Sequence, residues 1–68
     1  MHRSNLREAV EALHARGVCH LDLAPRNVLV NKDDSLTIID FGRALLTRDE
    51  AAREEDFNAL EVEFDWES

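Results

Sequence analysis

The chain has 68 residues, with 15 acidic side chains against 8 basic ones and a formal charge of −7, and this balance excludes the positive surface that nucleic acid or an anionic membrane requires. A single cysteine excludes an internal disulfide, and no apolar run approaches a membrane span. A chain this short buries only about 60% of its unfolded surface, so one domain or part of one is the limit, and a soluble, cytoplasmic setting is expected.

The first element is a helix. Leu6, Ala9, Val10 and Leu13 recur at i, i+3, i+4 and i+7, Asn5 stands where an N-cap with Glu8 reaching back would start it, and Gly17 follows Arg16 as a C-cap. His14 reads as a surface or hydrogen-bonded helix residue, and Cys19 as a small buried apolar one. His2, His14, Cys19 and His20 show no zinc spacing. The polar loop that follows is stiffened by Pro25, which also pushes Ala24 toward an extended shape.

Two short apolar runs come next, Val28 to Val30 and Leu36 to Ile39, separated by the polar stretch Asn31, Lys32, Asp33, Asp34, Ser35. This pattern predicts a β-hairpin. A turn centred between Asp33 and Asp34 would set Val28 opposite Ile39 and Val30 opposite Thr37, bringing Asn27 and Asp40 side by side at the open end. An amide oxygen and a carboxylate would then converge, with Asp22 on the same loop. Such hard oxygen donors are what a magnesium ion carrying a nucleotide needs. Taken singly, Asp22 and Asn27 are ordinary turn residues and Asp40 an ordinary strand end; it is their order and spacing that argue for a site.

Beyond Gly42, Thr47 with Glu50 fits a capping box, and Phe57, Leu60 and Phe64 recur at helical spacing, which predicts a second helix from about Arg48 to Phe64. Its other face carries Asp49, Glu50, Glu54, Glu55, Asp56, Glu61 and Glu63, read as solvated acid. Trp66 would either pack on the hairpin or stand exposed as a contact point. The fold class expected is α+β, in the order helix, loop, hairpin, acidic helix.

The stretch His20-Leu21-Asp22-Leu23-Ala24-Pro25-Arg26-Asn27 resembles the catalytic loop of protein kinases, H-R-D-x-x-x-x-N, and Asp40-Phe41-Gly42 resembles their D-F-G motif. The chain is thus similar to the part of the kinase C-terminal lobe that carries both motifs. The resemblance implies that Asp22 is the catalytic residue facing the attacking hydroxyl, and that Asn27 and Asp40 hold magnesium and, through it, ATP. It also implies structural roles for His20, Phe41 and Gly42. Leu21 stands where many kinases have an arginine that meets an activation-loop phosphate, which argues against that control. Ala24 with Arg26 is nearer the tyrosine-kinase pattern than the serine/threonine one, and no Ala-Pro-Glu follows the D-F-G. That ending resembles atypical kinase-like domains, including those frequent in fungi and the small-molecule phosphotransferases.

Only Gly17 and Gly42 are present and Lys32 is the sole lysine, so no glycine-rich phosphate loop and no phosphate-gripping strand lysine can be written. Residues 1–68 therefore read as a single fragment of a kinase-like domain, without the N-lobe and the lower C-lobe. It would be inactive or nearly so alone, binding ATP only at millimolar levels or more weakly. Two functions stay open: a piece of a phosphotransferase that works once an N-lobe completes it, or a non-catalytic remnant acting as an acidic interaction or regulatory element through its last helix.

Overall fold

The computed structural model describes residues 3–64; Trp66, with Asp65 and Glu67, lies outside them. Its elements are helix α1 (Arg3–Ala15), strand β1 (Val18–Cys19), a 3-10 turn (Pro25–Asn27), strands β2 (Val28–Val30), β3 (Leu36–Ile38) and β4 (Leu45–Leu46), and helix α2 (Glu50–Val62). Two helices and two small antiparallel sheets, β1 with β4 and β2 with β3, make the expected α+β mixture.

Helix α1 buries Leu6, Val10 and His14, one residue per turn, while Leu13 is only half-buried. The stripe therefore runs through a histidine. The helix already includes Arg3, so Asn5 sits inside its first turn rather than capping it. Gly17 ends it as expected: its N–H bonds the His14 carbonyl at 2.9 Å and its φ is +78°, a region open to glycine. The chain then turns directly into β1.

The hairpin forms in a different register from the one expected. Val28 pairs with Ile38, Leu29 with Thr37 and Val30 with Leu36, one residue away from the pairing that a two-residue turn centre gives. The cause lies in the turn. Asn31 N–H reaches Ser35 O at 2.8 Å, Asp34 N–H reaches Asn31 O at 3.0 Å, and Asp34 takes a left-handed φ of 67°. This is a three-residue loop closed by a residue in the left-handed region, which adds one residue to the count. Asp33 accepts from the Ser35 hydroxyl at 2.6 Å and from its amide at 3.1 Å, and Asn31 Nδ2 donates to Thr37 Oγ1 at 2.9 Å.

The first cap of α2 also differs. Asp49 accepts from Ala51 N–H at 3.1 Å and is the N-cap, while Thr47 Oγ1 receives the Asp49 amide at 3.0 Å one step earlier. A carboxylate outcompetes a hydroxyl at this site because it also meets the positive end of the helix dipole. The helix is accordingly shorter than expected at both ends. Acid at its C-terminal end opposes the dipole, and Arg3 of α1 forms an ion pair there with Glu61.

The core lies between the helices and the hairpin: Leu6, Val10, Leu23, Val28, Leu60 and Phe64, with Leu36, Ile38, Phe57 and Ala59 packed on it. At about 1.5–3 kcal/mol per fully buried aliphatic or phenyl side chain, these few residues make a small core. Leu29, Val30, Leu45 and Leu46 remain exposed.

Candidate catalytic site

The loop from His20 to Asn27 is built over a buried carboxylate. Asp56, on α2, is 1% exposed. Its Oδ2 accepts from the His20 amide at 2.9 Å and faces His14 Nε2 at 2.9 Å, while its Oδ1 accepts from the Leu21 amide at 2.8 Å. Three donors from α1 and the loop thus converge on one side chain. Burying a carboxylate is costly unless it is hydrogen-bonded in this way. Sequence reasoning had put Asp56 on the solvated acidic face, and the structure corrects that. The signal was there: Asp56 lies one residue before Phe57 and four before Leu60, on the apolar stripe, as His14 lies four after Val10.

Leu21 has a φ of 65°, a left-handed conformation that costs a branched side chain about 1–2 kcal/mol. The bond from its amide to Asp56 offsets that cost. The turn aims the next residue, Asp22, away from the core, where it is half-buried.

His20 is fully buried. Its Nε2 lies 2.9 Å from the Ile39 carbonyl, and its Nδ1 lies 3.2 Å from the Asp22 amide. A carbonyl only accepts and an amide only donates, so the pattern assigns a neutral ring with the proton on Nε2. His20 thereby links the loop to the end of β3, one residue before Asp40. Phe41 packs edge-on against the same ring at 4.8 Å between centroids.

Asn27 is buried, held by its own amide bonding Ala24 O at 2.9 Å and by its carbonyl accepting from Ile39 N–H at 2.8 Å. The Pro25–Asn27 turn sets it there. Pro25 sits at the start, where its missing N–H costs nothing, and Ala24 before it is extended (φ −158°, ψ 161°), as a residue preceding proline should be. The side-chain Nδ2 of Asn27 donates to the Asp22 carbonyl at 2.7 Å and approaches Asp22 Oδ2 at 3.4 Å. Arg26 Nη2 donates to the other Asp22 oxygen at 2.8 Å.

Asp22 and Asn27 are therefore brought together. Asp40 is not tied to them. The hairpin register sets Ile39, not Asp40, opposite Asn27, and no hydrogen bond joins Asp40 to Asn27 among the described residues. Asp40 is exposed, has a φ of 61° and accepts only a long 3.4 Å bond from Gly42 N–H. A Cβ at Gly42 would stand 3.3 Å from that same carboxylate oxygen, a tight approach.

The donors left over suit a hard cation. Asn27 spends its nitrogen on Asp22, leaving Oδ1 without a protein partner among the described residues, and the Asp40 carboxylate is nearly free. An amide oxygen and a carboxylate beside open space are the ligand types magnesium takes. Next to Asp22 opens a cavity of about 310 Å³, lined on its polar side by Arg26, Arg43, Glu55 and Glu63.

The family model described as "Protein kinase domain" matches residues 3–63. The serine/threonine-protein kinase PknH of Mycobacterium bovis is 43% identical over 47 residues, covering 69% of this chain and 8% of that kinase. PknE of Mycobacterium tuberculosis, also a serine/threonine-protein kinase, is 48% identical over 42 residues, covering 62% of this chain and 7% of its own length. The CBL-interacting serine/threonine-protein kinase 15 of Arabidopsis thaliana is 49% identical over 39 residues, covering 57% and 9%. The chain thus spans less than a tenth of the length of these curated relatives. No solved structure gives a significant match. With the family matched over nearly all the described residues, the chain belongs to the protein kinase domain family.

Proposed function

We propose that this chain carries the phosphoryl-transfer residues of a kinase-like enzyme, moving the γ-phosphate of ATP to a hydroxyl, and that alone it binds magnesium and ATP weakly without turning over. Asp22 faces the acceptor hydroxyl and takes its proton. Asn27 Oδ1 and the Asp40 carboxylate hold the magnesium ion, which when bound offsets the negative charge gathering on the phosphate oxygens. Arg26, bonded to Asp22, fixes the rotamer of the acid. His20 couples the loop to the strand that precedes Asp40. The acceptor enters by the cavity beside Asp22.

The observation that carries this reading is the lock between Asp22 and Asn27, in which the amide nitrogen is spent on the acid residue and the amide oxygen is left for a metal. Catalysis of this kind is mostly positioning. With only two glycines, and its one lysine in the hairpin turn, the chain lacks the groups that grip the nucleotide from above. Affinity for magnesium-ATP is therefore about millimolar or weaker. Residues 1–68 act as one piece of such a catalytic domain.

The test places manganese for magnesium, with a non-hydrolysable ATP analogue, and reads paramagnetic broadening of backbone amide signals. Broadening centred on Asn27 and on residues 40–42, abolished by Asp40→Asn, is expected. Broadening centred on α2, or left unchanged by that substitution, overturns the assignment.

A further inference from the structure

The buried side of the fold carries a second donor set, of a different chemical kind. His14 on α1, Cys19 on β1 and Asp56 on α2 each turn one donor atom to a common point, all within 4.8 Å of one another. The three are 6%, 0% and 1% exposed. We propose that they form a structural site for a soft divalent transition ion, zinc being the fitting case. The proposal does not rest on the phosphotransfer reading, because it needs none of the Asp22, Asn27 and Asp40 side chains as a ligand.

The donor types are the first argument. An imidazole nitrogen, a thiolate and a carboxylate are the ligands zinc takes, at about 2.0–2.3 Å each. Tetrahedral geometry then sets donor atoms about 3.3–3.8 Å apart. The pair His14 Nε2 and Asp56 Oδ2, now 2.9 Å apart, would open slightly, and the sulfur, within 4.8 Å of both, would draw in to that spacing. A thiolate selects zinc or a similarly soft ion over magnesium and calcium.

The occupancy of each donor is the second. Among the described residues Cys19 Sγ makes one weak hydrogen bond, to the Thr47 carbonyl at 3.9 Å, so no strong bond is lost on ligation and a backbone oxygen stands by. Asp56 offers about four lone-pair positions, of which the His20 and Leu21 amides use two. The metal takes the place of the His14 proton and leaves those loop bonds intact. Ligation shifts the His14 ring proton from Nε2 to Nδ1 and releases the thiol proton, and the ion's two positive charges are balanced by thiolate and carboxylate.

The third argument is topological. The ligands come from three elements that a 68-residue chain otherwise joins through a small core. A metal tying α1, β1 and α2 at one point couples metal binding to the packing of three elements. Since Asp56 also holds the His20 and Leu21 amides, an occupied site fixes the floor of the loop above it. The sequence spacing hides this set, because its members lie 5 and 37 residues apart and only the fold unites them.

Cobalt(II) titration of the reduced 68-residue chain tests this. We expect one cobalt per chain, with visible d–d bands of a tetrahedral site and a near-ultraviolet sulfur-to-cobalt band, and displacement by zinc. Zinc, but not magnesium, raises the melting temperature, and a chelator reverses the gain. Cys19→Ala, which keeps an apolar side chain in the core, removes the sulfur band and weakens cobalt binding at least tenfold. Asp40→Asn, the control at the oxygen site, changes neither. A chain that shows no sulfur band, or stays unfolded with metal present, overturns the proposal. So does a band that survives Cys19→Ala.

Discussion

The two halves of the candidate catalytic site are held in very different ways. The loop from His20 to Asn27 rests on buried and part-buried polar bonds: two of its amides to Asp56, which His14 of α1 also holds, two through the His20 ring, two from the Asn27 side-chain amide. The segment from Asp40 to Gly42 has one long bond within itself, an exposed carboxylate and a Phe41 ring that is 43% exposed. One half is over-determined and the other is loose. His20 spans both, with the Asp22 amide on one ring nitrogen and the Ile39 carbonyl on the other.

Substitutions at the two halves should separate accordingly. The largest effect is expected at Asp56. Asp56→Ala leaves the His20 and Leu21 amides and His14 without their acceptor and costs about 3–5 kcal/mol, enough to unfold a chain with so small a core; loss of the far-ultraviolet helix signal reads it out. Leu60→Ala, which removes apolar packing in the core, costs about 2–5 kcal/mol, measured by urea denaturation. A Leu60→Ala cost far above that of Asp56→Ala would break the comparison, because packing alone would then hold the loop.

On the loose half, Asp40→Asn shifts stability by no more than about 0.5 kcal/mol, as expected for an exposed side chain away from the core, while abolishing manganese broadening. In the rigid half, Arg26→Ala removes only an exposed pair and costs at most about 1 kcal/mol, seen in the same denaturation curves.

The smallest effect lies in the hairpin turn. The Ser35 hydroxyl and amide hold the Asp33 carboxyl below the ordinary carboxylate range. A carboxyl depressed in the folded state stabilises the fold above its unfolded pKa, about 3.9, and that contribution fades as pH falls through the folded value. Ser35→Ala should therefore lower the melting temperature slightly at neutral pH, and the difference should shrink as the pH drops below about 4. A difference that grows in acid would contradict the assignment.

Much of this architecture was legible from residue order. Periodicity marked both helices, Gly17 marked the first helix end, and alternating apolar and polar runs marked the hairpin, because these signals are local. The register was not legible, since it turned on Asp34 adopting a left-handed backbone that an aspartate reaches only occasionally. The β1–β4 pairing escaped because two-residue strands, Val18 with Leu46 and Cys19 with Leu45, carry no period. Asp56 escaped for a further reason: charge suggested solvent, while its position on an apolar stripe pointed inward, and of the two readings open for His14, surface or hydrogen-bonded, the structure shows the hydrogen-bonded one. A polar residue in phase with a buried face is the pattern to look for, since it enters the core only with partners supplied by distant parts of the chain.

The central claim is that Asp56 makes the loop the rigid half of the site. Native-state amide hydrogen exchange, residue by residue, tests it most directly. The account predicts that the His20 and Leu21 amides exchange only with global unfolding, at the same free energy as the core of α1, while the Gly42 amide exchanges through local opening. His20 and Leu21 amides that exchange as fast as Gly42 would contradict it.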